Sequence, residues 1–385
     1  MHVLMISLDP SMLGDQHGNT VQRHLDYARR IGTLSILTYN PAADPKTPLH
    51  VTDFFTVHPT NTRPLLFPWV AYRAAARIHR QHPVDVVSTQ DPFSTGLVGL
   101  WLKWRYGLPL DVQNHSHFFE NPDWIAERPL RNRLLYAIAQ RVITRADTNR
   151  VLTEREKALY VRRGVPAERI AVLPTPTRVD YFADRVPPAR ITDLRASLGI
   201  MPDAPVMLWV GFPAEVKNVD LLLAAYALVR AQRPEVRLVM AGDFAGRPDF
   251  VRRAAAESVI FAGRVAHDDL PAYYQMAALY AHSSRYEGFG KVLVEALAAG
   301  TPVVATRSDG PNAIIRDGET GYLTEHTPEA LSAAMIALLD DLDHARTMAA
   351  SGQRDVLAQF DYERQLDRVV ESFRVTQRVA GKTPG

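Results

Sequence analysis

The chain has no cysteine, which excludes disulfides, thiol nucleophiles and cysteine-ligated zinc or iron–sulfur centres. It has little excess charge: 44 Lys and Arg stand against 42 Asp and Glu, a net of +2. The strong clustered positive field of a nucleic-acid binder is therefore missing, and no nucleic-acid partner is expected. No uncharged apolar run reaches the roughly 18–20 residues of a membrane-spanning helix. The start, MHVLMISLDP, runs straight into a short apolar strand without a basic leader, so no secretion signal and a cytoplasmic location are expected. No short period recurs, which argues against a solenoid. What remains is an ordinary composition, 46% hydrophobic and 22% charged, over 385 residues, enough for two or three domains.

Short β-branched runs alternate with helical patterns from end to end. Strand patterns fall at 2–8, 33–39, 84–89, 109–114, 148–153 and 170–174, with helical patterns at 18–31, 68–82 and 93–106 between them. The second half repeats the style at 205–211, 236–242, 258–262, 278–283 and 302–306. This alternation predicts an α/β protein with largely parallel sheets buried on both faces. The proline-rich stretch 183–205 reads as a linker holding one short helix. It divides a first domain (1–183) from a second (200–360), and 361–378 reads as a lone amphipathic helix after the second sheet. Two doubly wound domains predict ligands beyond the carboxyl ends of the strands, in a cleft between facing domains.

The chemistry concentrates in residues 286–300, YEGFGKVLVEALAAG. A strand, a glycine-bearing turn and a helix follow one another there. Gly288 and Gly290 allow close backbone approach, and the helix start offers unpaired N–H groups and a positive dipole end that suit a phosphate. The helix is apolar nearly all round, so it is expected to be buried. Glu295 is its one acid, and a buried carboxylate needs a cation or hydrogen-bond donors. Two partners fit: Lys291 four residues earlier, or a diol such as a ribose.

Residues 205–323 resemble the donor domain of the retaining GT-B glycosyltransferases of family 4. EGFGKVLVEALAAGTPVVAT follows that family's E-x7-E signature, with Glu287 and Glu295 as the two acids. Gly211, then Lys217-Asn218 before LLLAAYALVRAQRP, looks like its first donor strand and phosphate-lysine helix. LVMAGD and VIFAGRVAHDDLPAYY look like the next two strands, and DGPNAIIRDGETGYL like its closing loop. Upstream, Gly18-Asn19-Thr20 before a helix looks like the family's N-terminal glycine loop. His115 stands where the family has a donor-site histidine, and 151–182 resembles its last segment before the linker. The final helix is expected to cross back to the first domain, as GT-B chains commonly do.

The resemblance implies a hexosyltransferase of the GT-B fold that uses a nucleotide-sugar, UDP- or GDP-linked, with neither a metal nor an organic cofactor. It implies that Glu295 binds ribose hydroxyls and that Glu287 reaches the transferred sugar. The amides of Gly288, Phe289 and Gly290 face sugar and diphosphate, with Lys291 and Val292 on the same helix start. Lys217 neutralises the leaving phosphate, His115 approaches the sugar, and Gly18 lets its loop close over the diphosphate. Arg264 and Val265 lie near the backbone that reads the base. The acceptor class is a glycan, a lipid or lipid-linked molecule, or a small molecule.

One departure bears on this. The family usually carries an arginine directly after Gly211, and here that place holds Phe212, then Pro213. Arg264 and Arg285, and less readily His282, are candidate replacements. Without one the phosphate site is weakened, and the alternative reading is a non-catalytic nucleotide-sugar-binding subunit that activates a partner. A sugar-nucleotide epimerase of the same fold is a further rival, against which the E-x7-E match argues. Asn312, where an acid is frequent, is a smaller departure.

Other features read as structural. His115 and His117 are two apart but lack further metal ligands. Asp341-Leu342-Asp343 has the D-x-D pattern of metal-dependent transferases, yet it lies between helices, where acids cap and solvate. Segment 128–163 carries ten Lys or Arg against three acids, a net of +7. Its arginines interleave with Leu, Tyr and Ile, which suits either a solvated face or a helix lying on the inner face of an anionic membrane.

Overall fold

The computed structural model describes residues 1–14, 19–115 and 117–382. The chain divides into two compact units, Met1–Pro174 together with the residues from Glu363 onward, and Thr175–Tyr362. The change of unit thus falls at Pro174/Thr175, ahead of the 183–205 segment. The reason is local packing. Helix Val179–Ala183 sinks Phe182 against Tyr274 and His267, which ties this stretch to the second unit before the prolines begin.

The first unit is built on eight strands: β1 (His2–Ser7), β2 (Thr33–Thr38), β3 (Leu49–Thr52), β4 (Phe55–Pro59), β5 (Val86–Thr89), β6 (Leu110–Gln113), β7 (Thr148–Val151) and β8 (Ile170–Val172). Their order is β3-β4-β2-β1-β5-β6-β7-β8, parallel throughout except for the β3/β4 hairpin at one edge. Every residue of β1 is buried, as a strand covered on both faces requires. The β3/β4 hairpin left no clear mark in the sequence because LHVT and FTVHP are short and half-exposed, with polar residues breaking the apolar run. Helix Tyr362–Lys382 lays Leu366, Val369, Val370 and Phe373 into this unit, and its Thr376 Oγ1 meets Thr148 Oγ1 at 2.6 Å.

The second unit carries β9 (Val206–Val210), β10 (Arg237–Ala241), β11 (Ile260–Gly263), β12 (Leu279–His282), β13 (Val303–Thr306) and β14 (Tyr322–Thr324). All six are parallel, in the order β11-β10-β9-β12-β13-β14. Trp209 of β9 and Met240 of β10 are among the buried core residues, packed with Leu222 and Tyr226 of helix Val219–Gln232 and with Leu331 and Met335 of helix Pro328–Asp340. The strand order reverses direction between β9 and β12, and that switch point is where a parallel sheet of this kind opens a crevice at the carboxyl ends. No helix among the described residues is long and apolar enough to cross a membrane.

Candidate functional site

Two loops leave the switch point of the second unit. The one after β9 carries Gly211, Phe212 and, on a short 3-10 turn, Lys217. The one after β12 carries Ser283 to Gly290. They are laced together: Arg285 N–H donates to Val216 O at 2.8 Å, and the Ser283 hydroxyl donates to Lys217 O at 2.8 Å. Lys217 is thereby delivered to Glu287, and the two side chains form an ion pair.

Glu287 is mostly enclosed. Burial pulls its carboxyl upward, but Lys217, His282 and the Phe289 N–H together outweigh it and hold the group below the usual carboxylate range. His282, at the end of β12, lies with Nε2 3.7 Å from Glu287 Oε2. Desolvation lowers its pKa to about 4, against the pull of Glu287 and with the help of Lys217. The imidazole is therefore neutral near pH 7, so His282 is not the substitute cation for the missing arginine. Arg285 is exposed and lies 3.7 Å from Glu215. Arg264 lines a recess together with Gly211, Phe212, Gly242 and Val265, at the carboxyl ends of β9, β10 and β11. Phe212 is 70% exposed on its rim.

The glycine turn depends on a close approach. Gly290 caps helix Lys291–Ala298 in the left-handed region at φ +89°. Gly310 donates its N–H to Glu287 O at 2.9 Å, and a Cβ there would lie 2.2 Å from Phe289 O. Local sequence does not reveal why Gly310 must be glycine, because the need for a missing Cβ arises from contact with Phe289, 21 residues earlier. Glu295 is 3% exposed and has two protein partners: Lys291 Nζ at 3.2 Å on Oε1, and the Tyr274 hydroxyl at 3.1 Å on Oε2. The i,i+4 pair thus forms, and Tyr274, which the sequence reading missed, joins it. Each carboxylate oxygen retains a further lone pair for a hydroxyl donor. Val292 sits half-exposed on the same first helical turn.

Of the predicted residues, Lys217, Gly288, Phe289, Gly290, Lys291, Val292, Glu287 and Glu295 lie together around these loops, with Arg264 and Val265 in the neighbouring recess. His115 belongs to the first unit, just past β6. It keeps exposed surface, its Nε2 lies 3.2 Å from both Gln90 Oε1 and Gln113 Oε1, and desolvation, then Arg150, Arg23 and His24, hold its pKa well below the ordinary value. Gly18 lies outside the described residues. Asp341 caps helix Leu342–Gln359 by accepting from His344 N–H, and Asp343 pairs with Arg346, so the D-x-D acids serve helix ends. In 128–163, Arg150 is buried and Arg163 packs over Phe119, so two of the ten cations are not surface charges.

Residues 190–355 match the model of the glycosyl transferases group 1 family, and residues 26–176 that of a glycosyl transferase 4-like domain. The chain is 33% identical over 303 residues to a D-inositol 3-phosphate glycosyltransferase of Xylanimonas cellulosilytica, covering 75% of this chain and 71% of that protein. It is 28% identical to an alpha-monoglucosyldiacylglycerol synthase of Streptococcus pneumoniae, covering 72% of this chain and 65% of that protein, just under two thirds of its length. Among solved structures, a sucrose-phosphate synthase from Thermosynechococcus elongatus superposes with a TM-score of 0.81 at 24% identity, over 97% of this chain and 98% of that one. Anabaena HepE, in complex with UDP-glucose, superposes at 0.76 and 21% identity, over 97% and 99%.

Proposed function

This chain belongs to the group 1 glycosyl transferases, GT-B enzymes of family 4, and we propose that it moves a hexosyl group from a UDP- or GDP-sugar to an acceptor hydroxyl with retention of anomeric configuration. The observation that carries the reading is the Lys217–Glu287 pair at the switch point, beside the buried, two-partner carboxylate of Glu295. Glu295 accepts hydrogen bonds from the ribose hydroxyls. The start of helix Lys291–Ala298 and Lys217 hold the diphosphate, supplying without a metal the charge stabilisation that the leaving group needs. Glu287 positions the transferred sugar and stabilises charge developing at its ring. His115 offers a hydrogen-bond acceptor to a sugar hydroxyl. The HepE complex with UDP-glucose supports a nucleotide-sugar donor, and the relatives' names support glycosyl transfer.

We also propose that the acceptor lies at the cytoplasmic surface of a membrane. Leu130 and Leu134, 85% and 62% exposed, lie one turn apart beside the exposed Arg131 and Arg133. On the same unit Leu65, Leu66, Trp69 and Trp104 are exposed, with Arg73 and Arg105 near them in sequence. Exposed Trp and Leu among arginines suit an anionic bilayer interface.

Calorimetry against UDP, GDP and ADP, followed by turnover with the matching sugars, tests the donor reading. One nucleotide binding tightly, with its sugar turned over, is the expected result. No binding of any nucleotide would overturn the transferase assignment, and binding without turnover would point to a non-catalytic subunit.

A further inference from the structure

Beneath His115 lies a polar network of a kind rarely built into a parallel sheet. The sequence DVQNH puts Asp111 and Gln113 on one face of β6, and TNR puts Thr148 and Arg150 on the same face of β7. The strand register sets Asp111 against Thr148 and Gln113 against Arg150, with Ser88 of β5 against Asp111. Arg150 is 3% exposed, a cation whose burial is offset by Tyr27 and Asp111 and by the carbonyls it holds. Its Nε donates to Leu173 O at 2.8 Å, its Nη2 to Pro174 O at 2.9 Å and its Nη1 to Gln113 Oε1 at 3.1 Å.

A guanidinium can only donate. The Gln113 atom facing Arg150 must therefore be the amide oxygen. The amide nitrogen then points at Ser88 Oγ, 2.9 Å away, and Ser88 in turn donates to Asp111 Oδ2 at 2.9 Å. The same Gln113 oxygen lies 3.2 Å from His115 Nε2. We infer that Arg150, acting through Gln113, locks His115 as the Nε2–H tautomer and leaves Nδ1 as the lone-pair acceptor for a substrate hydroxyl. Gln90 Oε1, also 3.2 Å from Nε2, shares the same ring proton. Among the described residues Nδ1 has no hydrogen bond. Partial desolvation, with Arg150, Arg23 and His24, lowers its pKa, so that a tautomer exists to be chosen near pH 7.

Arg150 and Gln113 are positioning residues: neither touches substrate, and both act on the histidine. The consequence for catalysis rests on the sugar-contacting role of His115 proposed above, whereas the tautomer does not.

The test is a two-bond proton–nitrogen correlation spectrum of the histidine-labelled protein without nucleotide, with the His115 signals identified by their loss in His115→Asn. Wild type is expected to carry the proton on Nε2. Because Gln90 also accepts the Nε2 proton, the variants are made in a Gln90→Leu background, where Arg150→Met and Gln113→Leu should each give a tautomer mixture, whereas Gln113→Glu, which keeps an acceptor, should retain Nε2–H. In a transfer assay the first two variants should lower kcat about tenfold or more, with donor KM changed by less than about twofold. A wild-type proton on Nδ1, or a ring unchanged in both variants, overturns the inference. The wild-type spectrum decides even where a variant fails to fold. The expected spectra in a protein that turns over no nucleotide-sugar would uphold the tautomer lock and remove the transferase reading instead.

Discussion

Lys217 and Glu287, seventy residues apart in sequence, form an ion pair across the two loops that leave the switch point of the second sheet. Each neutralises the other before any donor arrives. In the proposed donor complex, a diphosphate that draws Lys217 away would leave Glu287 with less counter-charge.

That pairing predicts how a charge change separates binding from chemistry. Glu287→Gln should lower kcat by about a hundredfold or more, the scale of one lost electrostatic contact in a transition state, while nucleotide affinity changes only a few-fold. Steady-state kinetics together with calorimetry reads both, and equal losses in the two would reject the division of labour.

Glu295→Ala should act on affinity. It removes the acceptor of the buried Tyr274 hydroxyl, of half-buried Lys291 and of the proposed ribose contact, and charge-assisted hydrogen bonds contribute roughly 1.5–3 kcal/mol each. Nucleotide affinity is expected to fall about ten- to a hundredfold in calorimetry. Unchanged binding would mean that the carboxylate serves Tyr274 and Lys291 alone.

Phe212→Arg should strengthen diphosphate binding. The side chain is 70% exposed on the rim of the recess, so an arginine fits without repacking, and one added charge-assisted contact gives about a tenfold gain. Competition by UDP or GDP measures it. A loss of affinity would assign the phenyl ring a contact with the donor.

Acid stability should carry the mark of His282. Its folded pKa is depressed to about 4 from 6.5, so between these values the unfolded chain binds the extra proton. Stability is then full above about pH 6.5 and is lost as pH falls toward 4, by roughly 3 kcal/mol at most. His24, depressed to about 3, adds to the same slope. Glu287, depressed below the carboxylate range, adds its own loss only below its unfolded value of 4.5. Thermal melts of His282→Gln from pH 4 to 7 should show a flatter acid limb, and an unaltered limb would refute this.

Gly310→Ala should damage the site at a distance from any ligand. Its Cβ would collide with Phe289 O and C, both backbone atoms, so the glycine turn has to shift. We expect a loss of about 1–3 kcal/mol in stability together with weaker nucleotide binding. A variant with wild-type melting and affinity would show that the turn is free to give way.

The sequence by itself determined the α/β class and most strand positions. Periodicity and glycine placement are local signals, and a stretch such as 286–300 holds strand, turn and helix within one window. It did not determine the change of unit at Pro174, since the anchoring of Phe182 depends on Tyr274 far downstream. Nor did it pair Lys217 with Glu287, bring Tyr274 to Glu295, or show Gly310 pressed against Phe289. Gln113 and Arg150 read as unremarkable letters in two separate strands until the sheet register set them side by side. Only tertiary structure decides such matters, because whether a side chain is a partner, a cation or a proton-holder depends on which atoms burial places within about 3 Å of it.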